Sequence, residues 1–251
     1  MAIKKEILHD TQSGTPVCRF KIPNQTGDYV ELTNLGCSIS GVHIRRLDGR
    51  MENIAASADK AVPASSLPNG SLWGSALGRT LSGKVWEIAE EGENQVLLTC
   101  ECLAEENDYH VDLRLGLQVT WVNLDRLILD YFITPKADID LDFATNLDVS
   151  YSDRTFAVRS FCPTVLRASG ERCPVQETEY NDLSFVPLQT ADRFVNGSEE
   201  IKPMVELSDT SSDLRISVYT TLAAVQISAR QGTLSVVGSD ETSIELHAGE
   251  T

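Results

Sequence analysis

No stretch of the 251-residue chain is apolar over a length that would cross a bilayer, and no segment carries an apolar stripe of helical period over three turns. The first absence argues against a helical membrane anchor, the second against a helical bundle or a parallel sheet wrapped in crossover helices. Positive charge is also scarce: 21 Lys and Arg stand against 37 Asp and Glu, a net charge of −16. So negative a surface repels phosphate backbones and anionic lipid headgroups, which makes nucleic acid and membrane poor partners and a neutral small molecule a better one. The six cysteines (Cys18, Cys37, Cys100, Cys102, Cys162, Cys173) lack the paired CxxC spacing of a zinc site, so buried free thiols are expected, with neither metal nor cofactor. Behind Lys4 and Lys5 the residues Glu6, His9 and Asp10 interrupt any apolar run, so a secretory leader is not expected and the setting reads as a reducing cytoplasm. Internal repeats, low-complexity tracts and an evident linker are missing too. With 41% hydrophobic and 23% charged residues, one domain spanning 1–251 around a substantial core is expected, of no stated oligomeric state.

What the sequence does contain is alternation of period two. In Val111-Asp-Leu113-Arg-Leu115-Gly-Leu117-Gln-Val119-Thr-Trp121 every second side chain is apolar, the pattern of a half-buried strand. A second strand over 126–134 follows the turn-forming Asn123-Leu-Asp125, predicting a hairpin that Pro135 ends. Further strands are expected over 30–33, 38–45, 95–103, 155–160, 214–220, 224–229, 233–237 and 243–247, most of them bounded by Gly, Asn, Asp or Pro. Many short strands without intervening helices predict an all-β chain, an antiparallel β-sandwich. The stretch 62–71 is the most evident long loop, of the kind that borders binding sites.

Six segments, taken in order, resemble landmarks of the aldose 1-epimerase (galactose mutarotase) family. Thr33-Asn34-Leu-Gly36-Cys-Ser-Ile39 with Asp48-Gly49 is similar to its opening "TNxGxxI … DG" hairpin. Gly78-Arg79-Thr-Leu-Ser82-Gly83-Lys84-Val85 resembles an abridged "GR…NRIxxGKF" loop, in which Arg79 matches either arginine. The alternating strand from Asp108 to Leu115 and the turn near Asp125 resemble "GYPGxLxVxVxYxLxxxNxLxI". Pro174-Val175-Gln-Glu-Thr178 is similar to "PVxGTPFDF", Asp192-Arg-Phe194-Val195 to "DHxFVL", and Thr220-Thr221-Leu-Ala-Ala-Val-Gln226-Ile227 to "TTQPxLQVY". The resemblance implies a galactose mutarotase-like supersandwich and interconversion of the anomers of a free hexose.

Anomer interconversion removes a proton from the anomeric hydroxyl and delivers one to the ring oxygen, so it needs a base and an acid. In the family the acid is the histidine of "TNHxYFNL". The matching stretch here is Ala144-Thr145-Asn146-Leu147, where Leu147 stands in its place and cannot donate a proton. The second family histidine, of the "HGG" loop, has no counterpart in 86–94. The base would be the glutamate of an "LExQ" strand, best matched by Glu245, although 243–247 with Ala248-Gly249-Glu250 also fits the terminal "LxPGExY" strand. Arg79, Asp192 and Asn146 would hold sugar hydroxyls. Against these roles stand a solvated loop arginine for Arg79, a turn aspartate for Asp192, a cap asparagine for Asn146 and an edge-strand surface carboxylate for Glu245. His110 could replace the acid but begins the polar face of an alternating strand, His43 sits in strand alternation, and Trp73 and Trp86 could stack on a sugar or be buried. Three readings follow: an aldose 1-epimerase-like isomerase with a rearranged acid, a non-catalytic carbohydrate-binding or sensing domain, and an interaction domain without a sugar site. A phosphosugar epimerase is less attractive, because Lys and Arg are not clustered.

Overall fold

The computed structural model describes residues 2–56, 78–123, 125–150, 155–180, 186–187, 192–196, 200–230, 233–240 and 244–251, the side chains of 78–79, 186–187 and 230 excepted. The expected loop 62–71 and Trp73 lie outside these residues. The chain divides into two compact units, Met1–Phe143 with Ser243–Thr251, and Ala144–Thr242. The second unit is thus inserted between two segments of the first.

In the first unit, β1 (Lys4–Asp10), β2 (Pro16–Pro23), β3 (Tyr29–Thr33), β4 (Ser38–Arg45) and β5 (Met51–Asn53) form a five-stranded antiparallel meander in chain order. Register makes its core: Phe20, Leu32 and Ile39 stand opposite one another on neighbouring strands, as do Ile22, Val30 and Val42, and all six are buried. After a short helix α1 (Gly78–Ser82), β6 (Glu87–Glu91), β7 (Gln95–Cys102), β8 (Leu113–Val122) and β9 (Arg126–Pro135) make a four-stranded meander. The predicted β8–β9 hairpin is present, its turn using Asp125 at φ +53°. The strand β8 starts at Leu113 rather than 111, because His110 has left-handed backbone (φ +53°) and lies exposed in the preceding turn instead of on a strand. Two motif glycine and asparagine positions have a structural purpose here. Gly36 (φ +66°) passes so close to Ser82 that a Cβ would sit 2.7 Å from its carbonyl oxygen. Buried Asn34 accepts from the Cys18 N–H (2.7 Å) and donates to the carbonyls of Pro16 and Trp86, tying β2 to the segment after α1.

A strand β10 (Ile139–Leu141) precedes the second unit, which holds β11 (Ala144–Ser150), β12 (Phe156–Ser160), β13 (Thr164–Leu166), β14 (Arg172–Pro174), β15 (Val186–Pro187), β16 (Asp192–Val195), β17 (Lys202–Asp209), β18 (Arg215–Thr220), β19 (Ala224–Arg230) and β20 (Thr233–Ser239). They build a six-stranded sheet, β11-β20-β19-β16-β13-β14, and a four-stranded sheet, β15-β12-β17-β18. The chain then returns to pair β21 (Ile244–Leu246) with β10. Every strand pairing among the described residues is antiparallel, so the all-β antiparallel expectation holds. No described helix is long and apolar enough to cross a membrane. All six cysteines are free and five are buried.

Candidate functional site

Successive residues of a strand point to opposite faces of the sheet, and residues directly opposite on neighbouring strands share a face. Applied to the six-stranded sheet, register separates two surfaces of different chemistry. On one face Thr145, Gly238, Val225, Phe194 and Val165 form a row, and Leu147, Val236, Ile227 and Asp192 the next. Val225, Phe194, Val165 and Ile227 are at most 1% exposed, so this is the apolar side. On the other face Asn146, Val237, Gln226 and Arg193 form a row, flanked by Asp148, Ser235 and Ser228. These seven side chains are half-buried, none fully exposed and none sealed in the core.

Hydrogen-bonding capacity on this polar face is incompletely used. The Asn146 Nδ2 donates to Asp148 (3.4 Å), but its Oδ1 is buried and accepts nothing. Asp148 accepts in addition from the Ser235 hydroxyl (2.6 Å). Arg193 sends its guanidinium over β19 to β20, where Nη2 donates to Ser239 Oγ (3.1 Å) and to the Asp240 carbonyl (2.7 Å), while Nε stays buried and unpaired. Close by, Asp240 Oδ1 accepts the Ala223 N–H and the Ala223 carbonyl accepts the Asn196 N–H, leaving Asn196 Nδ2 as a second buried donor without a partner. A buried donor or acceptor left unmatched costs about 1–3 kcal/mol, and Asn146 Oδ1 and Arg193 Nε are two such atoms on residues of this face.

The four residues proposed from sequence lie as follows. Asn146 and Asp192 belong to the same sheet but point to opposite faces. Asp192 is 5% exposed, and both its oxygens serve the β13–β14 hairpin: Oδ2 accepts from Arg167 Nη1 (2.8 Å) and Oδ1 from the Ala168 N–H (3.3 Å). The same guanidinium pairs with Glu179 (2.9 Å) and covers the Tyr180 ring at 5.0 Å. The hydrogen bond to Glu179, with Asp192 beside it, drives the Arg167 pKa upward against the opposing pull of burial, and Arg167 in turn lowers that of Glu179. Glu245 is exposed on β21, opposite Asp140 on β10. The residues after it are tied down, Ala248 N–H to Asp138 and Gly249 N–H to the Pro135 carbonyl, so β21 runs as the closing strand of the first unit. Arg79 lies in α1, and its side chain is outside the described residues. Leu147, the residue that the resemblance matches to the family acid, stands opposite Val236 on the apolar face. The sequence reading passed over Arg193, Gln226 and Asp148 as site residues. Their signal was the polar half of the alternation in β11, β16 and β19.

Elsewhere, Trp86 is buried (1% exposed) and His43 stacks on Tyr29 at 4.3 Å, 3.6 Å from Glu31, its pKa lowered by burial. A cavity of about 320 Å³ in the first unit is lined by Lys84, Cys100, Glu101 and Arg114 among others. Its two cations are already paired, Lys84 with Glu106 (2.6 Å) and Arg114 with Glu101 (3.9 Å), and burial pushes the Cys100 thiol up to about 11, so it offers no nucleophile. No group of three or more potential metal-ligating side chains occurs among the described residues.

Solved structures place this arrangement. A GalM/aldose epimerase homologue from C. elegans superposes with a TM-score of 0.77 at 11% identity, covering 93% of this chain and 95% of its own. The galactose 1-epimerase of Lactobacillus acidophilus matches with a TM-score of 0.74 at 14% identity, over 100% and 96%. The fold is that of the galactose mutarotase-like proteins. A galactose mutarotase-like protein from Lactobacillus casei agrees, with a TM-score of 0.68 at 12% identity over 92% and 96%. No family model matches the sequence, and no curated protein matches it. On the galactose mutarotase-like fold this chain carries a polar sheet face that includes Asn146, Gln226, Arg193 and Asp148.

Proposed function

We propose that the chain binds a free monosaccharide on the polar face of the six-stranded sheet, as a carbohydrate-binding or sensing domain on a galactose mutarotase-like fold. The observation that carries this reading is the half-buried row of Asn146, Gln226 and Arg193 with Asp148 beside it, amide, guanidinium and carboxylate groups on one face of the sheet. Amide and guanidinium groups are matched to ring hydroxyls, which both donate and accept. Anomer interconversion asks for more, an acid as well as a base. Asp148 supplies a carboxylate, but Leu147, the residue that the resemblance matches to the family acid, supplies no proton. The fold and Asp148 favour a second reading, an aldose 1-epimerase-like isomerase of free hexoses with Asp148 as base in place of Glu245. The free, largely buried cysteines fit a reducing cytoplasm.

Titration calorimetry with D-glucose, D-galactose and other hexoses, paired with polarimetry of freshly dissolved α-anomers, separates these readings. Heat of binding without faster rotation change is the expected result. Accelerated mutarotation establishes the isomerase instead, and absence of any heat removes the sugar site.

A further inference from the structure

We infer that the ligand of the polar face is an acidic sugar, its carboxylate seated on the guanidinium of Arg193; this rests on the sugar-binding reading above. A half-buried guanidinium ordinarily has a carboxylate beside it, since desolvating a lone charge is costly. Of the other half-buried arginines, Arg167 is held by Asp192 and Glu179, Arg159 by Glu206 (3.3 Å) and Arg46 by Glu52 (3.3 Å), whereas Arg19 on β2 forms no ion pair with a described residue. Arg193 departs from the rule too. Its hydrogen bonds go to a hydroxyl and a main-chain carbonyl, both neutral, and it forms no ion pair with a described residue. The nearby Asp240 carboxylate is turned to the Ala223 N–H instead.

In a chain with a net charge of −16, an arginine without an anion is not explained by a shortage of carboxylates. Nη1 makes no hydrogen bond with a described residue and remains for a ligand. The guanidinium reaches β20, the strand that pairs with β11, so the anion site and Asn146 flank one stretch of sheet carrying Val237 and Gln226. A single pyranose over Val237 would meet the cation at one end and the half-buried Asn146 side chain at the other. The single guanidinium supplies one positive charge, which one carboxylate neutralises. The overall negative field disfavours anions at long range but is screened within about 10 Å at 0.1 M salt, so the local charge decides the contact.

The test is calorimetry with D-glucuronate and D-galacturonate against D-glucose and D-galactose, with glucose 6-phosphate and inorganic phosphate as further arms, on the full chain and on Arg193→Gln and Arg193→Lys. The uronate is expected to bind about tenfold tighter than its parent hexose, the worth of one charge-assisted contact. Arg193→Gln should weaken uronate binding more than hexose binding, so that the preference collapses, and Arg193→Lys should retain part of it. Equal or tighter binding of the hexose by the native chain overturns the inference and leaves the sugar site standing. Tighter binding of the phosphate ester overturns the carboxylate assignment. Binding of neither sugar class removes the inference together with the reading beneath it. Should Arg193→Gln fail to fold, as judged by circular dichroism, the native chain still decides: uronate affinity should fall as salt rises from about 50 to about 500 mM while hexose affinity does not.

Discussion

Asp192 and Arg193 are neighbours in the chain and opposites in the sheet. The "DHxFVL" resemblance directs attention to the aspartate, because the motif places an acidic residue before an apolar pair. In the structure that aspartate neutralises Arg167 beneath the sheet, while the residue after it faces the polar side. Alternation alone says that the two point apart. Which of them meets the core follows only from pairing β16 with β19, a long-range fact that no local window contains. The consequence is measurable. Asp192→Asn leaves Arg167 short of a counter-charge next to an almost fully buried carboxyl position, and should lower stability by about 2 kcal/mol in denaturant titration while leaving sugar affinity unchanged. A loss of sugar affinity without loss of stability would return Asp192 to the binding role expected from sequence.

Among the elements, those with strong apolar alternation or turn signals were legible. The β8–β9 hairpin, β4, β7, β19 and β20 fall within a residue or two of their expected bounds. Strands of two or three residues, such as β13, β14 and β15, are too short for periodicity to register, and β11 was obscured because its polar half, Asn146 and Asp148, lines the candidate site rather than open solvent. The turn that joins β17 to β18 shows how local chemistry fixes such an element. Burial alone would raise the pKa of Asp209, which is 2% exposed, but hydrogen bonds from the Ser212 and Ser211 hydroxyls and the Ser211 N–H outweigh it and hold the carboxyl below its ordinary value. A depressed folded-state pKa means stability that is present above the unfolded value, near 4, and is lost as pH falls through the folded one. Asp209→Asn should therefore cost about 1–2 kcal/mol at pH 7, with the difference from the native chain vanishing on acidification toward pH 2. Acid titration of both proteins by circular dichroism checks this, and a gap that stays constant with pH would show that the carboxylate charge is not responsible.

At the scale of the whole molecule, identities of 11% to 14% coexist with TM-scores of 0.68 to 0.77. That combination is expected when a fold is specified by where apolar residues recur rather than by which ones they are. The same tolerance explains why the architecture could be read from sequence while, of the proposed polar face, only Asn146 was singled out there. The six-stranded sheet keeps its apolar rows through Val225, Phe194 and Val165, while its other face is free to change chemistry. The chain has two compact units, Ala144–Thr242 lying in sequence between Met1–Phe143 and Ser243–Thr251; Leu141 pairs with Ile244 in the first and Ala144 with Ser239 in the second. The account as a whole stands on the polar face being where the sugar binds. Backbone and side-chain amide shifts of the isotope-labelled chain, followed by NMR during titration with the sugar that calorimetry identifies, measure that location directly. Perturbations should concentrate at Asn146, Arg193, Asn196, Gln226 and Val237. Shifts confined to the first unit, with those five unmoved at saturation, would contradict it.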